Sequence, residues 1–126
     1  DNQYIKQKYS QLKNVTFIIN AKCLKKYYEN SAVFVNPMFH GSGVKVKSVN
    51  ALVNGLPLVS TSVGVEGIGL SSDMYYHAET EIDFKNQIIS ILENQELALQ
   101  KTAKAQLYLQ ENNYINVLKK ELDALI

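Results

Sequence analysis

VFVNPMFHGSGVKVKSVNALVNGLPLVSTSVGVEG, residues 33–67, holds two apolar runs with a glycine-bearing loop and a helix-like segment between them. Ala32-Val33-Phe34-Val35 is of strand length and stops at Pro37, which cannot donate to a ladder. Val44 to Val53 has Val46, Val49 and Leu52-Val53 at helical spacing, and Asn54-Gly55 supplies its stop. Leu56-Pro57-Leu58-Val59-Ser60-Thr61 then forms a second continuous apolar strand. Strands that read as unbroken apolar runs and alternate with helices predict a parallel sheet covered on both faces, a Rossmann-like α/β arrangement.

Outward from this stretch the alternation continues. Tyr4 to Leu12 reads as a short helix ending near Asn14, Val15-Thr16-Phe17-Ile18-Ile19 as a strand, and Leu24 to Asn30 as a helix. On the other side, Met74-Tyr75-Tyr76-His77 is a short strand. Ile82 to Leu92, Leu97 to Leu109 and Tyr114 to Leu125 are amphipathic helices that close the domain as a helical tail over residues 82–125. A chain of 126 residues fits one domain with one core, so residues 1–126 are read as a single, partial domain.

Composition narrows the function. Thirteen basic residues, all lysine, face twelve carboxylates for a net charge of +1, and no basic run resembles a nucleic-acid footprint. No apolar run is long enough to cross a bilayer, and Asp1-Asn2-Gln3-Tyr4 lacks the character of a signal peptide. A cytoplasmic location is expected, the inner face of a membrane included, for a chain cut from something longer. The single cysteine, Cys23, reads as a packing residue, and with His40 and His77 far apart no metal site is expected.

In doubly wound sheets ligands bind at the carboxyl ends of the strands, beside helix amino termini with free N–H groups. That rule selects the loop Asn36 to Val44. Gly41-Ser42-Gly43 lets backbone approach a diphosphate closely, and Lys47, one turn into the following helix, can supply a cation. Lys45 points elsewhere on the helix, and Lys47 is the preferred cation. As a pattern of three residues the GxG turn is equally readable as a plain connection.

Across residues 33–67 the order and spacing resemble the donor-site segment of the group 1 glycosyltransferases with the GT-B fold. The resemblance rests on a strand ending in proline, a glycine loop with lysine, a GxP strand (Gly55-Leu56-Pro57-Leu58-Val59-Ser60-Thr61) and the turn Gly64-Val65-Glu66-Gly67. It implies a retaining, metal-independent hexosyltransferase that binds a UDP- or GDP-sugar and needs no cofactor. Donor diphosphate would lie on Gly41, Ser42, Gly43, Val44 and Lys47, ribose on Asn50, and His40, Thr61 and Glu66 are candidate contacts to the donor sugar. No catalytic residue is assigned. Asn50 stands where the family usually has glutamate, and Ser42 where many members place a first acid, so the ribose contact would be the weaker, neutral kind.

The resemblance also implies that two strands of the donor domain and the whole amino-terminal, acceptor-binding domain lie outside this chain, which is then inactive alone. The missing strands belong between residues 15–19 and 33–35, a gap that a second copy could fill. The alternative reading is a degenerate GT-B-like module for assembly or partner binding. Tyr27 with Tyr28, and Tyr75 with Tyr76, are read as packing residues, and the hydroxyls of Thr61 and Ser62 serve a turn cap as well as a ligand.

Overall fold

A computed structural model describes residues 2–41 and 45–112. The order is α1 (Asn2–Tyr9), α2 (Lys25–Glu29), β1 (Phe34–Asn36), α3 (Val46–Val53), β2 (Leu58–Ser60), a 3₁₀ turn (Val63–Val65), β3 (Tyr76–His77), α4 (Glu81–Glu93) and α5 (Gln95–Glu111). The three strands form one parallel sheet in the order β1-β2-β3. This is the α/β arrangement expected from the sequence. The helix expected over Tyr114 to Leu125 lies outside the described residues.

Alternation along β2 explains the two layers. Leu58 faces a core with Val49 and Leu52 of α3 and Ala105 and Leu109 of α5, whereas Val59 faces Ile91 of α4, Ala98 of α5 and Tyr76. All three residues of β2 are buried, as befits a central strand in a sheet covered on both faces. A third cluster of Tyr28, Ala51 and Leu56 seats α2 against α3, and the Tyr28 ring stacks on Phe34 with centroids 6.0 Å apart. On β3, Tyr76 is roofed by the Lys101 ammonium, 3.9 Å from the ring centroid.

Helix ends follow local chemistry. α4 opens on a capping box, in which Thr80 Oγ1 accepts from the Asp83 N–H and the Asp83 carboxylate accepts from the Thr80 N–H. Asn94 both ends α4 and caps α5 through Leu97 N–H. α3 begins at Val46 rather than at Val44, with Lys45 at its N-cap and no side-chain cap. Gly55, at φ 84, closes it in the left-handed region that suits glycine.

Two further expectations are corrected, the first being Cys23, which is exposed rather than packed. Val15 to Ile19 is not a strand; it runs between Asn14 and Asn20, both at positive φ, without joining a ladder. β-branched residues favour extended backbone, but a strand needs a neighbour to bond, and among the described residues β1 bonds only to β2. Among the described residues the outer edge of β1 is therefore unpaired, and Val35 is 40% exposed. Among the described residues no helix is long and apolar enough to cross a membrane.

Leu52 is fully buried and Ile82 is 70% exposed. Leu52→Ala is expected to lower unfolding free energy by about 2–5 kcal/mol. Ile82→Ala should change it by less than about 0.5 kcal/mol. Urea denaturation of both variants checks the assignment of core and surface.

Candidate functional site

β1 and β2 run parallel, so the loops that leave their carboxyl ends, after Asn36 and after Ser60, emerge on the same rim. A buried polar weld joins them. Asn36 Nδ2 donates to Ser48 Oγ at 2.9 Å, and Ser48 Oγ donates to Gly64 O at 2.6 Å. Thr61 Oγ1 donates to Met38 O and accepts from the Gly64 N–H. Asn36, Ser48, Ser60 and Thr61 are all buried. Each finds a partner, which is what makes a polar layer under a loop rim tolerable.

Gly64 is required by space. A β-carbon there would lie 2.1 Å from Ser60 Oγ and 3.0 Å from Asn36 Nδ2. Glycine at this position lets the 3₁₀ turn settle onto the strand ends.

The candidate residues divide by environment. Gly41 sits on the rim at φ 138, a conformation open to glycine. His40, Lys47 and Glu66 are exposed. Ser42, Gly43 and Val44 lie outside the described residues. Thr61, by contrast, is buried with its hydroxyl engaged at both ends in the weld. Lys45, at 5% exposed, is buried, and its Nζ lies 3.2 Å from where a Gly41 β-carbon would stand.

Asn50 is half-buried and turned towards α2. Its Nδ2 donates to the Tyr28 hydroxyl at 2.9 Å, and its Oδ1 accepts from Asn54 Nδ2 at 3.0 Å. Burial raises the Tyr28 pKa, an effect only partly offset by the bond from Asn50, so the phenol stays protonated.

Glu79 was missed by sequence reading because its Ser62 partner lies 17 positions earlier, across the link between β2 and β3. Its Oε2 accepts from the Ser62 N–H at 2.8 Å and meets His77 Nε2 at 2.6 Å. It thus ties the start of the 3₁₀ turn to the segment following β3. The Ser62 N–H, with His77 adding, holds the Glu79 carboxyl below its ordinary range. Among the described residues no group of three or more His, Cys, Asp or Glu gathers as metal ligands would.

Two outcomes follow from this geometry. Gly64→Ala is expected to destabilise by about 1–3 kcal/mol through overpacking. Combining it with Ser60→Ala should recover part of that loss, a coupling of about 0.5–3 kcal/mol in a denaturant double-mutant cycle. For Glu79 the folded pKa is depressed, so its stabilisation is present above the ordinary glutamate range and is lost as pH falls through the lowered folded value. Glu79→Gln should therefore flatten the acid limb of a urea-midpoint profile against pH, while Asp73 and Asp83, also lowered, leave a residual slope.

Comparison with known proteins meets this rim directly. The family described as "Glycosyl transferases group 1" matches residues 1–94, which include both loops and the weld. A protein of Klebsiella pneumoniae, named "Uncharacterized 44.6 kDa protein in cps region", is 38% identical over 72 residues, covering 56% of this chain and 19% of that relative. The chain thus spans 19% of the length of the curated relative it matches. No solved structure matches it. With three quarters of its length inside that match, and with a parallel α/β sheet of the matching kind, the chain belongs to the group 1 glycosyl transferases.

Proposed function

We propose that the chain is part of the donor-binding half of a glycosyltransferase that takes a UDP- or GDP-linked hexose. Together with an acceptor-binding domain it moves the sugar to an acceptor, with retention at the anomeric carbon and without a metal. What supports this reading is one observation: loops from the carboxyl ends of two adjacent parallel strands are fastened into a single rim beside the amino end of α3. Parallel sheets recognise phosphate-bearing ligands at such rims, where helix N–H groups are free and glycine admits close approach.

In this reading the diphosphate lies at Gly41 and the amino end of α3, and Lys47 approaches it from the solvent side. His40 and Glu66, both exposed on the rim, face the sugar. The chemistry asked of these groups is to orient the donor and to stabilise the departing diphosphate as charge develops on it. Thr61 acts beneath the rim, holding the 3₁₀ turn, rather than on the sugar itself.

A second reading has an observation of its own. Asn50, at the ribose position of the family pattern, spends its amide on Tyr28 and Asn54. A domain whose ribose residue has become an internal tether is a degenerate module, and the open edge of β1 is then the surface that meets a partner, a second copy included.

Isothermal calorimetry with UDP and with GDP separates the two. Binding of one nucleotide, weakened about two- to fivefold in Lys47→Ala as expected for an exposed charge contact, supports the donor reading and identifies the base. A chain that is folded by circular dichroism and binds neither nucleotide supports the module.

A further inference from the structure

Charge is divided unevenly along the chain. Residues 2–28 hold six lysines, Lys6, Lys8, Lys13, Lys22, Lys25 and Lys26, and no carboxylate, whereas residues 29–126 hold seven lysines against eleven carboxylates. All six are exposed. Among the described residues Lys25 alone of the six meets a carboxylate, Glu29 at 3.8 Å. Lys8 and Lys26 lie over the Tyr9 and Tyr27 rings, 5.4 and 5.0 Å from the centroids, so ammonium head and aromatic ring are presented together.

The same stretch turns apolar surface to solvent. Every residue from Gln3 to Thr16 is exposed. Tyr4, Ile5, Tyr9, Leu12, Ile18 and Leu24 are each between 41% and 62% exposed. Ile5 and Tyr9 are one turn apart on one side of α1, and Leu12 follows, its N–H donating to Tyr9 O at 3.1 Å. A single exposed leucine needs no partner, but several large apolar side chains interleaved with lysines along one stretch point to a contact.

The two features together select an occupant. A second copy or another protein is disfavoured, since lysine is depleted where proteins meet and a symmetric pair would set six lysines against six. A nucleic acid would use the charge and the tyrosines, but Ile5, Leu12, Ile18 and Leu24 have no ring on which a base could stack. The interface of an anionic bilayer takes all three kinds of group: lipid phosphates meet the ammonium heads, tyrosine rings lie at headgroup depth, and aliphatic side chains pass into the acyl boundary. We propose that the stretch from Tyr4 to Lys26 is a membrane-surface contact that seats this domain on bilayers rich in anionic lipid, by charge at long range and by apolar insertion at short range. The contact does not rest on the nucleotide-sugar reading, because the loops that build the rim lie outside this stretch of chain.

Cys23, the single cysteine, is exposed and lies within the stretch, so it takes an environment-sensitive fluorophore at one place. The full labelled chain is mixed with phosphatidylcholine vesicles that contain about one-third phosphatidylglycerol, or none. Emission should shift to the blue with the anionic vesicles only, and raised salt should largely reverse the shift. The same probe on exposed Gln100 of α5, placed by Cys23→Ser with Gln100→Cys, should not shift. Lys6→Gln with Lys8→Gln should weaken vesicle binding about tenfold or more, and Lys85→Gln with Lys104→Gln, an equal loss of charge elsewhere, by less than about twofold. Ile5→Ser with Tyr9→Ser should weaken it about tenfold or more at unchanged charge. All these side chains are exposed, and circular dichroism checks that each variant is folded. A chain that ignores anionic vesicles overturns the contact, and so does equal weakening by the two lysine pairs or a shift at position 100 in place of 23. An apolar pair without effect overturns the insertion. Binding of a single-stranded oligonucleotide in preference to the vesicles replaces the bilayer with a nucleic acid, and self-association through the stretch without vesicle binding replaces it with a second copy.

Discussion

The arrangement of the rim turns on the bond that Ser48 Oγ makes to Gly64 O, because it is where α3, the end of β1 and the turn after β2 are held in one place. The hydroxyl can serve both Asn36 and Gly64 only if it is buried and if Gly64 carries no side chain. Remove either condition and the two loops are held together mainly through Thr61, by its bonds to Met38, Asn36 and Gly64. A polar layer at this depth is tolerated because its groups answer one another, and the apolar layers on either face of β2 then set the sheet beneath it.

The legible parts of the fold were those in which local pattern and tertiary need agree. Leu56 to Thr61 reads as a buried strand from its composition, and β2 is buried throughout. Gly55 announces the end of α3, because capping is a matter between near neighbours, whereas the Thr80–Asp83 cap, equally local, went unread and α4 was started at Ile82. Val15 to Ile19 has equally good strand composition, yet strand formation is decided by a partner that local sequence does not name. The same applies to Phe34 to Asn36, whose ladder comes entirely from residues more than twenty positions later.

Within the site, glycines and the loop position were legible, while the roles of individual polar residues were not. Lys45 and Lys47 differ by two positions in a periodic segment, so which one is buried depends on where the helix begins. Placing that start at Val44 rather than Val46 hid the difference. Asn36 and Ser48 drew no role from the sequence; their meaning lies in a contact twelve residues apart that no periodicity carries. Asn50 was flagged by the family pattern as a changed residue, and the structure adds what the amide does instead: it binds α2 to α3 through Tyr28.

The link between β2 and β3 crosses the sheet with a 3₁₀ turn and irregular chain. Its anchors come from elsewhere: Tyr108 Oη donates to Ile68 O at 2.7 Å, and Lys104 reaches Asp73 at 3.4 Å, both from α5. These contacts span 40 and 31 residues, so they close only once α5 has docked. During synthesis this link therefore cannot acquire its final shape as its own residues leave the ribosome. It sets only when α5 arrives, so protection of that link reports that α5 has docked.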